Sequence, residues 1–186
     1  MPYFGIKRRV FISHYRGDRT EVDNFINYFA KQHGVFTPYV LGANDNDEFI
    51  NSTNTDYVMT QIRGKYLLDT TVTIVLIGNC THSRRYVDWE IKSSLRQGAY
   101  TPNGLIGIIL PSKGDNAYLP SRIEANWTPG HVNCYARYMV YPNSPEALGS
   151  WIEDSFAART ARANLINNSQ DMMKYNTKCK ICGITH

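Results

Sequence analysis

No stretch of this chain holds the roughly 18 consecutive apolar residues that a membrane-spanning helix requires, so no membrane partner is expected. The opening segment, MPYFGIKRRVF, lacks both a long apolar core and a small-residue cleavage site. Export is therefore not expected, and the default location is the cytoplasm. Cysteine is scarce, at four residues in 186, and in a reducing compartment these are expected to stay unpaired. No dense basic stripe is present either. The net charge of +4 suits the attraction of a small anion, and no nucleic-acid partner is expected. There is no G-x-G-x-x-G after a strand and no P-loop, which disfavours ordinary dinucleotide binding of the Rossmann kind.

What is present is one domain's worth of regular pattern. RRVFIS is a β-rich run that ends in the polar turn HYRGD. Thr20 with Asp23 three residues later has the form of a capping box, and Val22, Phe25, Ile26 and Phe29 recur at helical spacing. VFTPYV reads as a strand that Pro38 confines to an edge. Residues 42–54 form a long polar loop, followed by a helical pattern over about 55–67. TTVTIVLIG is an almost unbroken β-branched run, suited to the centre of a parallel sheet.

Ser83 then stands at a plausible helix N-cap, with Tyr86, Val87, Glu90, Ile91, Ser94 and Leu95 at three- and four-residue spacing. GLIGIILP is a fourth strand, 112–133 is irregular, and CYARYMVYP is a fifth strand. Ser144 and Pro145 open a last helix. The order predicts an α/β fold with a five-stranded parallel sheet, helices on both faces and flavodoxin-like winding. The domain is expected over 1–163, with 164–186 as a tail that is packed on it or mobile. In such sheets ligands bind beyond the carboxyl ends of the strands. SHYRGD and GNCTHSRR both leave such ends and are expected to flank one cleft.

Several residues in these segments are able to carry chemistry. Glu90 stands between Trp89 and Ile91, and helical side chains lean back toward the strand ends. Apolar surroundings would raise its pKa, while Arg84 or Arg85 nearby would lower it. It reads either as a functional carboxylate or as a surface glutamate paired with a basic neighbour. Ser13, Tyr15 and Asp18 offer hydroxyl, ring and carboxylate groups for a phosphate or ribose, or else they simply build a turn. Cys179 and Cys182 have metal-ligand spacing, and His131 with Cys134 would complete a Cys3His zinc set. The alternative is reduced, unpaired thiols. Cys80 lies at the expected cleft mouth without a sign of activation. A Ser13–His14 hydrolase pair is disfavoured, because adjacent strand residues face opposite ways.

Taken together, RVFISHYRGD, TTVTIVLIG and SRRYVDWEI resemble the TIR domain, most closely the prokaryotic ThsB-like group of the Thoeris anti-phage system. The likeness spans about residues 8–112, with Val10–Tyr15 on the first strand and Ser83, Tyr86 and Glu90 along the helix after the third. The resemblance implies a flavodoxin-like TIR fold and an enzyme that cleaves the nicotinamide–ribose bond of NAD. Glu90 would be its catalytic residue, with Phe11, Ser13, Tyr15, Asp18, Arg85 and Tyr86 shaping the nucleotide site. NAD is then a substrate, and no cofactor or metal is called for.

The family likeness further implies an ADP-ribose-derived signal that reaches a separate effector protein, a phage-derived trigger, and self-association. Two departures stand out. Many TIR enzymes carry tryptophan where Tyr86 stands. The loop 42–54 is also unlike the one by which animal adaptor TIRs find partners. A non-enzymatic interaction or sensor module is the competing reading. A phosphotransfer receiver is a weaker one, since the first strand ends with Asp18 as its one acidic residue.

Overall fold

The computed structural model describes residues 3–40, 52, 54–114 and 117–186. The loop expected over 42–54 falls outside that range except for Ser52 and Asn54. Five parallel strands form the sheet: β1 (Arg8–His14), β2 (Phe36–Val40), β3 (Val72–Ile77), β4 (Gly104–Ile109) and β5 (Arg137–Met139). Their spatial order is β2-β1-β3-β4-β5, the flavodoxin-like winding. Pro38 sits in the edge strand β2, opposite Val10, where its missing N–H does no harm to the sheet.

Side chains alternate across the sheet, and this parity assigns each helix its layer. Val10 and Ile12 of β1, with Ile74 and Leu76 of β3, face α1 (Arg19–Phe25) and α5 (Pro145–Ala161). Phe11 faces the opposite layer, where it meets Val58 and Ile62 of α2 (Thr55–Ile62) and Trp89 of α3 (Arg85–Ser94). Val75 and Ile77 contact Val87, Ile91 and Leu95 along α3, joined by Ile123 of the short α4 (Ser121–Glu124). Full burial of each such aliphatic side chain stabilises the fold by about 1.5–3 kcal/mol.

Helix boundaries show where local chemistry agrees with the pattern. Ser144 accepts from the Ala147 N–H, and Pro145 occupies the first turn of α5, as expected. Asn54 caps α2 by accepting from the Tyr57 N–H. Two expected caps are corrected. Helix α1 starts at Arg19 behind Asp18, which makes no side-chain capping bond, so Thr20 lies inside the helix. Ser83 belongs to a 3-10 turn, Thr81–Ser83, and its hydroxyl bonds the Cys80 carbonyl; Arg84 precedes α3 instead. Both α1 and α2 continue in wider π-type turns, over Ile26–Gln32 and Arg63–Leu67.

The segment after α5 lies along α3. Asn126 and Asn167 bond each other reciprocally at 2.7 and 2.8 Å. Trp89 donates to the Met173 carbonyl at 2.8 Å, and Thr177 donates to the Ser83 carbonyl at 3.0 Å. Beneath them Arg122 and Asp88, both buried, form an ion pair at 2.6 Å. Asp88 also accepts from the Met173 N–H, and Arg122 donates to the Asp171 carbonyl. The irregular stretch 112–133, without a role in the sequence, thus supplies Arg122 and Asn126 as anchors for this segment.

Candidate active site

Strand β1 and helix α3 build the centre of the site. Ser13 shares the sheet face of Phe11, two residues earlier, and so points toward α3 rather than toward α1. Its hydroxyl donates to Glu90 Oε2. One turn further along, Ser94 on the same helix face bonds Thr73 at 2.7 Å, which holds α3 in register over β3. Glu90 is only 4% exposed. Its pKa is pushed up to about 8, because burial penalises the charged carboxylate more than the Ser13 hydrogen bond favours it.

Neither Arg84 nor Arg85 acts on this carboxyl. The reading of Glu90 as a surface glutamate with a basic partner is therefore corrected. An uncompensated buried carboxyl lowers stability at neutral pH, so its presence asks for a reason other than packing.

The remaining candidates fall into two groups around this centre. Asp18 lies at the end of the β1 turn, where Thr81 donates to it at 3.4 Å. Burial, followed by Glu21, raises its pKa to about 6. Gly78, just after β3, makes room for it: a Cβ there would lie 2.2 Å from Asp18 Oδ2. Tyr15 carries the Arg84 guanidinium over its ring at 4.0 Å and touches His186. The turns SHYRGD and GNCTHSRR thus meet, as their positions at strand ends require.

On the outer side of α3, Arg85 donates to the Lys174 carbonyl at 3.3 Å and to the Tyr86 hydroxyl at 3.4 Å. Tyr86 meets Trp89 edge-on at 5.1 Å. Arg85 and Trp89 line a cleft of about 670 Å³ with Thr55 and Met173. Glu90 is not among the residues that line that cleft. Phe11 is wholly buried in the cluster of Val58, Ile62 and Trp89, so it supports the site from within the core.

The sequence gives no sign of two contributors to the site. Arg84 reads only as a possible electrostatic neighbour of Glu90, yet it packs on Tyr15. His186 enters from the far end of the chain. The zinc set proposed from spacing is not assembled. His131 faces the Tyr138 backbone and Cys134 lies against Ala136 and Arg137, whereas Cys182 lies beside Cys80. His14 is confirmed on the opposite sheet face from Ser13, and burial drops its pKa to about 4.

Among the described residues, no helix is long and apolar enough to cross a membrane. A family model for the Thoeris protein ThsB, TIR-like domain, matches residues 11–115, more than half of the chain. That span runs from within β1 to beyond β4 and holds Ser13 and Glu90. No curated protein matches the chain.

Proposed function

The chain belongs to the Thoeris ThsB TIR-like family, a defence-related TIR module, and on that premise we propose that it cleaves NAD at the nicotinamide–ribose bond. The observation that carries the proposal is the Glu90 carboxyl, buried without a cation and held by Ser13 at the carboxyl end of a parallel strand.

In the free protein a pKa near 8 keeps Glu90 mostly protonated at pH 7. The nicotinamide ring of NAD is cationic, and its approach favours the ionised carboxylate. As the glycosidic C–N bond breaks, nicotinamide leaves with the electron pair and the ribose becomes oxocarbenium-like. A preorganised carboxylate beside it lowers that barrier. A hydroxyl, from water or from a sugar or second nucleotide, then adds to the ribose carbon and loses its proton. The product is an ADP-ribose derivative, linear, cyclic or conjugated. A separate effector protein is its receiver. Tyr15, Asp18, Arg85 and Tyr86 are the proposed contacts to the nucleotide, NAD is substrate rather than recycled cofactor, and the reaction takes place in the cytoplasm.

The competing reading, a non-enzymatic TIR module, is favoured by one observation: at 4% exposure, Glu90 is closed to solvent in this conformation. Mass spectrometry of nucleotides from cells expressing the protein, with and without phage, separates the two. An ADP-ribose-derived species that appears with the wild type and is lost in Glu90→Gln supports the enzyme. Unchanged NAD and no new species, in infected cells holding folded protein, supports the module.

A further inference from the structure

Three side chains from distant parts of the chain meet beside the β3–α3 turn. The sulfurs of Cys80 and Cys182 are 3.4 Å apart, and His186 Nε2 lies 3.5 Å from the first and 3.2 Å from the second. A tetrahedral zinc ion, with Zn–S of about 2.3 Å and Zn–N of about 2.0 Å, sets ligand separations of about 3.8 Å for S–S and about 3.5 Å for S–N. The three ligand atoms already stand close to those separations. Among the described residues, this is the one grouping of three or more such side chains with metal-binding geometry.

The fourth ligand is at hand. Cys179 lies in the same C-x-x-C turn as Cys182, and its thiol donates to the Asn79 carbonyl at 3.4 Å, one residue before Cys80. Gly183 follows with φ of +74°, and its N–H bonds the Cys179 carbonyl at 2.9 Å. The segment CKICG is thus a tight turn that carries both cysteines. Zinc binds such cysteines as thiolates.

Two neighbours fit the same purpose. His186 presents Nε2 to the sulfurs while Nδ1 faces the Tyr15 hydroxyl at 3.4 Å, the outer contact that orients a ligating imidazole. Arg84 is buried beside Cys80 with its Nε and Nη2 unpartnered. Three thiolates and a neutral imidazole around a divalent ion leave one negative charge, which this guanidinium would balance.

We propose that Cys80, Cys179, Cys182 and His186 form a structural zinc site that clamps the C-terminal segment onto the turn between β3 and α3. Cys179 joins by turning its sulfur from the Asn79 carbonyl, 3.4 Å away, toward the sulfurs of Cys80 and Cys182. The ion replaces thiol protons, and no redox step is involved. The site is closed by four protein ligands and has no place for a reacting water. Its effect is to hold His186 against Tyr15 and Arg84, the groups at the mouth of the candidate active site.

The test is the metal content of the full-length chain purified under reducing conditions without chelator, after expression with added zinc. About one zinc per chain is expected. Cys182→Ser and His186→Ala, at exposed positions, should each lose it, and Cys134→Ser should retain it. Cobalt substituted for zinc should give the intense absorption of tetrahedral thiolate coordination. Chelation should raise hydrogen exchange over residues 176–186 while leaving β1 and α5 protected. Zinc no higher than in Cys182→Ser would overturn the proposal, as would a Cys80–Cys182 disulfide in peptide maps of the reduced-purified protein.

Discussion

The Ser13 hydroxyl donates its hydrogen bond to the Glu90 carboxyl across 77 positions of sequence, tying the end of the first strand to the middle of the third helix. This bond is one of two influences on the carboxyl. Burial raises its pKa, the bond lowers it, and burial prevails, at about 8. The balance has consequences for both stability and activity.

For stability, the ordinary value is 4.5 and the folded value is about 8. Between them the folded protein holds a proton that the unfolded chain has released. The contribution of Glu90 is thus complete below the ordinary value and falls by about 1.4 kcal/mol per pH unit until the folded value is passed. Glutamine keeps the shape and carries no charge at any pH. Glu90→Gln should therefore match the wild type near about pH 4 and exceed it at about pH 8, measured by urea unfolding across pH. NAD cleavage should fall at least about 100-fold in the same variant. Parallel stability profiles for the two proteins would mean that Glu90 is not the buried titrating group.

The strands and most helices were legible because their signal is local. A β-branched run such as TTVTIVLIG, an edge-strand proline at 38 and a Ser-Pro helix start at 144 each state their role within a few residues. The Ser13–Glu90 contact was legible only in part. Each residue reads as a candidate in its own segment, but spacing carries no sign of a bond between them or of the absence of an arginine partner. Arg122 was opaque for the same reason: a charged residue in an irregular stretch gives no hint of full burial. The Cys-x-x-C spacing in the C-terminal segment was readable, yet its neighbours were not. The paired spacing in HVNC points to His131 and Cys134, while the fold brings Cys80 from the turn after β3.

Ser13→Ala removes the influence that lowers the Glu90 pKa and leaves burial unopposed. The folded value should rise above about 8, because Ser13 favours the ionised form. If the reaction needs the carboxylate, kcat/KM rises with pH through the free-protein value, and the variant's profile should be displaced to higher pH. Loss of the bond should also cost about 1–3 kcal/mol in stability. An unshifted profile with reduced rate would assign Ser13 to substrate contact rather than to tuning of Glu90.

Arg122→Ala strands Asp88 in the interior. Asp88 is 5% exposed and pairs with Arg122 Nε at 2.6 Å, so the remaining carboxylate has lost its cation. Breaking one side of such a pair costs about 3–5 kcal/mol. The same side chain holds the Asp171 carbonyl at 2.7 Å, so the damage should extend to the segment along α3. Hydrogen exchange is expected to rise first at Met173, whose N–H bonds Asp88. A variant as stable as the wild type in denaturant would show that the pair does not contribute to holding α3, α4 and this segment together.

Two glycines give opposite predictions for one substitution. Gly104 opens β4 and pairs with Val72 of the central strand. A Cβ there would lie 2.0 Å from the Ser155 carbonyl oxygen, which is backbone of α5 and yields only if the helix moves. Leu148 and Ile152 fix that helix in the core. Gly104→Ala should destabilise the protein by about 3 kcal/mol, the upper end of the usual cost of overpacking. Gly64, in the turn that continues α2, has nothing within 4 Å of its would-be Cβ and no positive φ. Gly64→Ala should stabilise by about 0.4–1 kcal/mol by restricting the unfolded chain. Thermal melts of the two variants are expected to fall on either side of the wild type. A neutral Gly104→Ala would mean that α5 slides over β4 without loss, contrary to the close backbone approach described here.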